Sequence, residues 1–185
     1  MKKKILVACL CVALAVLTIA GTTLAYLTSK TEAVVNTFTV GNIDITLTET
    51  TTDYKMVPGS TIAKDPKVTV KAGSEDCWLF VKVEESTNLD DFITYTIASG
   101  WTKGDGTNIP ANVYYREVTA ATADTEFVVL TNNQVTVKDT VTKTMMDEIT
   151  KGTADNPTLT FTAYAVQKEG IATAAAAWEK ANPTT

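Results

Sequence analysis

From residue 37 onward, apolar positions recur at every second residue in short runs separated by turn residues, the pattern of strands with one covered face. Thr37-Phe38-Thr39-Val40 alternates, and after Gly41-Asn42 the period resumes as Ile43, Ile45 and Leu47 separated by Asp44 and Thr46. Met56-Val57-Pro58-Gly59-Ser60 predicts a turn, with Pro58 presetting φ and Gly59 free to take positive φ. Residues 67–71 alternate again through Val68 and Val70, Gly73-Ser74-Glu75-Asp76 turns the chain, and residues 77–83 are richly apolar. Trp78 and Phe80 fall on one face of that run, with Cys77, Leu79, Val81 and Val83 on the other, which predicts a central strand covered on both sides. Further strands are predicted over 92–97, 113–118, 126–130, 135–137 and 159–166. Their spacing, broken by Gly104-Asp105-Gly106-Thr107-Asn108 and Asn132-Asn133, fits an all-β, jelly-roll-like two-sheet sandwich better than a parallel sheet. One or two short helices join it: 144–151, and 173–180, where an alanine run ends in Trp178 and Asn182-Pro183 stops it. The second is expected to cap one end of the sandwich.

The first 36 residues follow a different rule. Lys2, Lys3 and Lys4 head an apolar run, residues 5–20, that ends in Gly21-Thr22-Thr23-Leu24-Ala25, with small residues at the two positions a signal peptidase reads. The run is shorter than the roughly 20 apolar residues a membrane span needs. Residues 1–25 therefore read as a secretory signal cut between Ala25 and Tyr26. Leu6-Val7-Ala8-Cys9 resembles a lipoprotein box, but most of the hydrophobic segment lies after Cys9 and would stay on the mature chain. Residues 26–36 form an extended-prone segment without Gly or Pro, and 37–185 form the sandwich domain. At the other end, Asn182-Pro183-Thr184-Thr185 carries no apolar tail, basic stop or sortase-type sorting signal, so no covalent C-terminal surface anchor is expected.

Composition adjusts this picture in three places. Threonine makes up about a fifth of the chain, as expected when β-branched side chains line exposed strand faces. Removing residues 1–25 takes three of the 16 basic residues and none of the 21 acids, which moves the net charge from −5 to −8. That balance argues against nucleic acid, and against an anionic membrane surface once the signal is gone. Cys9 and Cys11 leave with the signal, so Cys77 is the single mature cysteine and no intramolecular disulfide can form. Its place in an apolar strand makes it a small buried hydrophobe.

The chain has no histidine. Neither a Ser-His-Asp nor a Cys-His arrangement can be built, nor the zinc site of an H-E-x-x-H protease, since each needs imidazole as base or ligand. Paired carboxylates are the remaining hydrolytic device, and Glu75-Asp76, Glu84-Glu85 and Asp90-Asp91 are the candidates. All three pairs sit at predicted strand ends or turns, where solvated charge accounts for them. The loop from Asp105 to Asn108 and Asp90-Asp91 lack the ligand spacing and closing Glu of a calcium loop. No catalytic residue, metal site or cofactor is expected.

Several segments together carry a family resemblance. Gly21-Thr22-Thr23-Leu24-Ala25-Tyr26-Leu27-Thr28 and Asn36-Thr37-Phe38-Thr39-Val40-Gly41-Asn42-Ile43-Asp44-Ile45 resemble the start of TasA/camelysin-type proteins. Val57-Pro58-Gly59-Ser60 with Lys64-Asp65-Pro66, the stretch 73–82, and Phe161-Thr162-Ala163-Tyr164-Ala165-Val166-Gln167 leading to Ala177-Trp178 are similar to the same group. The resemblance implies secretion from a Gram-positive cell, processing by a SipW-type signal peptidase, and a jelly-roll domain that polymerises with copies of itself into fibres of the biofilm matrix or cell surface. It also implies donor-strand exchange, in which the N-terminal segment freed by cleavage completes the sheet of the next molecule. Camelysin-like members are described as metalloproteases, a role the missing histidines make a poor fit here.

Residues 26–36 suit exchange physically. Tyr26 and Leu27, with Val34 and Val35, are the candidate assembly residues, because an added strand gains backbone hydrogen bonds from an open edge and specificity from alternate side chains. The alternative is pairing within the same domain or a frayed terminus. A different class of function, a monomeric surface adhesin, would place its ligand on loops such as 100–110 beside Trp101, Tyr114 and Tyr115.

Overall fold

The computed structural model describes residues 28–30, 42–52 and 54–182. Its strands are β1 (Thr28–Lys30), β2 (Ile45–Thr48), β3 (Thr61–Ala63), β4 (Lys67–Val70), β5 (Cys77–Glu85), β6 (Ile93–Thr94), β7 (Thr102–Lys103), β8 (Val113–Val118), β9 (Thr125–Val128), β10 (Gln134–Val137) and β11 (Leu159–Gln167). Among the described residues three short helices accompany them: α1 (Leu89–Phe92), α2 (Lys143–Thr150) and α3 (Ala174–Ala181). The run 37–40 lies outside the described residues.

One layer is a five-stranded antiparallel sheet in the order β1-β11-β5-β8-β7. β5 is central, paired along Cys77–Lys82 with β8 and along Cys77–Glu85 with β11, as its two-sided apolar pattern requires. The remaining strands form two three-stranded sheets, β2-β4-β9 and β3-β10-β6, where a single second sheet was expected. The same two chain segments pair on both sides of the break: Lys64 N–H to the Asn133 carbonyl (2.9 Å) extends the β3-β10 ladder up to it, and Val129 N–H to the Pro66 carbonyl (3.0 Å) extends the β4-β9 ladder from the other side. The two small sheets are thus halves of one layer, bent at Pro66 on one ribbon and at a 3-10 turn, Thr131–Asn133, on the other. Proline cannot donate to a ladder, and Asn132 and Asn133 adopt positive φ (57° and 52°) that asparagine tolerates.

Three apolar clusters follow from this layering. Cys77, Leu79, Val81, Val83, Ala163 and Ala165 face Ile43, Ile45, Val68, Val70 and Val129 between the layers. The β3-β10-β6 half packs Val135, Val137 and Ile93 against Leu89 and Phe92 of α1 and the partly buried Met145, Met146 and Ile149 of α2. On the outer face of the large sheet, Trp78, Phe80, Tyr164 and Val166 are covered by Ala174, Ala177, Trp178 and Ala181 of α3. This helix therefore roofs a sheet face rather than capping an end. Thr173 caps it, its hydroxyl accepting from Ala176 N–H at 3.2 Å, and the Trp178 ring meets Phe80 and Tyr164 at 5.4 and 5.3 Å between centroids.

The predicted strand 92–97 is shorter than expected. Phe92 ends α1 instead, because Leu89 and Phe92, three apart, both point into the core on a single helical turn. Only Ile93–Thr94 pair as a strand, with a further bridge at Ile97.

Candidate functional site

The two layers leave an open groove along one side of the sandwich. β5 pairs with every residue of β11 on one edge, whereas β1 meets only Tyr164, Ala165 and Val166 on the other. Among the described residues, Leu159–Thr162 consequently have no strand on their outer side. In the facing layer β2 ends at Thr48, so β3 also has no strand on its outer side among the described residues. Between these two edges lies a cavity of about 850 Å³, walled by apolar side chains such as Met56, Ile62, Leu159 and Phe161 together with polar ones such as Thr48, Thr52 and Asn156.

A charged cluster sits in that wall. Lys64 is 7% exposed, and its Nζ lies 2.6 Å from Glu49 Oε1. The same ammonium stands over the Tyr54 and Phe161 rings, 5.1 and 5.5 Å from their centroids. The Tyr54 hydroxyl donates to Glu49 Oε1 at 2.7 Å; burial, and then the neighbouring Glu49 carboxylate, hold its pKa above the ordinary phenol value. Asp65, beside Lys64, accepts from Thr50 N–H (2.9 Å) and Thr50 Oγ1 (2.5 Å), which ties the exit of β2 to the bend and lowers the Asp65 carboxyl below its usual range.

The sequence expectations fall around this groove unevenly. Ala25, Tyr26, Leu27, Val34 and Val35 lie outside the described residues. Within the 26–36 segment, Thr28–Lys30 pair antiparallel with the chain's own β11, Thr28 opposite Val166 and Lys30 opposite Tyr164. Glu49, Tyr54 and Lys64 were not singled out in the sequence as site residues. The available signal was period two from Ile62 to Lys64, which turns the lysine toward the same side as a core residue.

On the opposite open side, Tyr95, Trp101 and Tyr114 line a second cavity of about 540 Å³ with Glu85, Asp90 and Lys103. Trp101 Nε1 donates to the Val128 carbonyl at 2.9 Å, and the Arg116 guanidinium stacks 5.4 Å from its ring. Tyr95 donates to Glu85, and burial raises its pKa ahead of that carboxylate's effect. Tyr115 does not join this cleft. It lies on the other sheet face, against Trp78 and Phe80.

A family model described as camelysin metallo-endopeptidase matches residues 1–97, just over half of the 185-residue chain. The chain belongs to the TasA/camelysin family. No curated protein and no solved structure matches it. Camelysin-family membership supports a secreted matrix protein in general terms, while the family description also implies a bound metal. The donor set does not fit one. The chain contains no histidine, and the described residues hold no group of three or more Cys, Asp or Glu placed to share an ion. Cys77 is buried within β5, where burial pushes its thiol pKa up to about 12, away from the thiolate a metal needs.

Four of the acids already have other partners. Asp76 Oδ1 accepts from Ala120 N–H at 2.7 Å, Glu84 pairs with Lys82 at 2.6 Å, and Glu85 accepts from Tyr95. Asp105 Oδ1 accepts from the amides of Thr107, Asn108 and Ile109 at 2.9, 2.8 and 3.0 Å. Those bonds close the loop and hold the carboxyl well below the usual carboxylate range.

Proposed function

We propose that this camelysin-family chain is a secreted, non-enzymatic structural subunit that polymerises into extracellular fibres by N-terminal donor-strand exchange. The observation that carries the reading is the edge of β11 at Leu159–Thr162, which has no partner strand among the described residues and lies beside the stretch where the chain's own Thr28–Lys30 are paired. A strand of a second copy arriving in the same register would add backbone hydrogen bonds along that edge and apolar side chains to the cavity of about 850 Å³. Exchange replaces pairs inside one molecule by identical pairs between molecules, so its enthalpic cost is low. Because donor and acceptor surfaces differ, exchange can pass head to tail from copy to copy and builds a filament where it is neither reciprocal nor closed into a ring. The precursor, with residues 1–25 attached, is expected not to polymerise.

The test images the mature chain, residues 26–185, beside a chain starting at Thr37. Fibres from the first and monomers from the second are expected. Monomers from both would overturn exchange and favour a binding module, for which the Tyr95, Trp101 and Tyr114 cleft is the supporting observation. Turnover of casein abolished by a chelator would instead restore a peptidase.

A further inference from the structure

Among the described residues the groove is lined by apolar side chains and uncharged polar ones such as Thr48, Thr52 and Asn156, and its only charges, Glu49 and Lys64, lie on the path of an incoming strand. We infer that the Glu49–Lys64 ion pair fixes the register of the strand the groove accepts, by tolerating only a small residue opposite Phe161. The inference rests on the exchange reading.

The register of β1 supplies the geometry. Thr28 opposes Val166 and Lys30 opposes Tyr164; three residues further along an incoming copy, Ala33 would oppose Phe161, with Val34 at Thr160 and Val35 at Leu159. Directly opposed residues of an antiparallel pair share a face, with Cβ atoms about 4.5–5.5 Å apart. Phe161 and Leu159 both pack toward the layers, so Ala33 and Val35 would face inward too. Val35 would then meet apolar wall, and Ala33 the ring that stands 5.5 Å from Lys64 Nζ.

A slip of one residue presents Val34 or Glu32 there instead. Val34 would crowd a charge pair whose side chains are already only 9% and 18% exposed. Glu32 would bring a third charge, of the same sign as Glu49. Either slip also turns the other face of the strand inward. A buried polar group among apolar neighbours is a known register device, of which the single asparagine in a coiled-coil seam is the best-attested case. The uncharged walls take up a hydrophobic strand with little regard to its register, and the ion pair supplies the discrimination they lack.

Register can be read by intermolecular disulfides in fibres of the mature chain. Thr160→Cys is combined in turn with Ala33→Cys, Val34→Cys and Val35→Cys, Thr160 being an exposed edge residue. In the native groove the Val34/Thr160 pair should give the ladder of cross-linked multimers, exceeding the two slipped pairs at least about tenfold. With Glu49→Leu and Lys64→Met together, a replacement of the kind that usually keeps or raises stability, that preference should fall to about twofold or less. A tenfold preference that survives in the neutral groove overturns the register role and leaves exchange standing. Cross-links confined within single chains overturn exchange itself, and the register role with it. Should the double variant not fold, Ala33→Glu and Ala33→Ser in the Val34→Cys/Thr160→Cys chain decide the matter. Glu should lower cross-linking at least about tenfold and Ser should leave it unchanged; equal yields would overturn the inference.

Discussion

Removing Glu49 alone should be far more damaging than removing Glu49 and Lys64 together. In Glu49→Ala the Lys64 ammonium, with its side chain 9% exposed, loses its carboxylate without regaining water. Breaking a buried pair in this way costs about 3–5 kcal/mol. Two local features offset part of that loss. The Tyr54 and Phe161 rings still face the ammonium, each worth about 0.5–1 kcal/mol, and Glu49 at 18% exposed was not fully desolvated. The expected cost is therefore about 2–3 kcal/mol, or roughly 5–10 °C in Tm for a chain of this size. Glu49→Leu with Lys64→Met removes both charges and should cost less than about 1 kcal/mol. Urea and thermal unfolding of the mature chain with both variants measure the difference. Refutation would be a single variant costing under about 1 kcal/mol, or a double variant as unstable as the single; either would place the pair in water and remove it from the groove wall.

Three further outcomes are expected. Trp178→Ala should cost about 3–5 kcal/mol in urea unfolding, because it strips contacts from Phe80 and Tyr164 and opens the outer face of the large sheet; a cost below about 1 kcal/mol would mean that α3 is not docked there. Asp105 has a folded pKa depressed by three amide donors, so its contribution is present at neutral pH and is lost as pH falls below the ordinary carboxylate value of about 4. Comparing Asp105→Asn with the parent chain in unfolding at pH 7 and pH 2.5 should show a stability gap that narrows in acid, and a gap independent of pH would contradict this. Cys77, buried and with its thiol pKa near 12, should react with a thiol reagent only at the rate of global unfolding, and rapid labelling of the native chain would show that β5 opens locally.

The parts of the fold legible in the sequence were those whose side chains carry the pattern themselves. β5, β8 and β11 alternate over six or more residues with one or both faces apolar, and their observed bounds differ little from the predicted ones. β3 contains one aliphatic residue of any size, Ile62, and β7 is two exposed polar residues. Those strands exist because a neighbour offers hydrogen bonds, which no local period records. The bend dividing the second layer was equally hidden, since Pro66 is only a break in pattern until the same two segments are seen to pair on both sides of it. The groove's charged cluster brings together Glu49 and Lys64, fifteen residues apart, each of which passes for an ordinary surface charge. Only the end of β2 and the turn at Gly59 place them face to face.

The roof formed by α3 carries a consequence for the material this chain would build. Amyloid grows in two ways at once, by adding strands along an edge and by stacking sheets face on face. Here one face of the five-stranded sheet is sealed by Ala174, Ala177, Trp178 and Ala181, and the other by the second layer. Stacking is denied, and the proposed growth through the edge of β11 would have a single dimension left to it. The resulting thread would consist of intact folded beads, soft to protease in its linkers and indifferent to dyes that recognise laminated sheets.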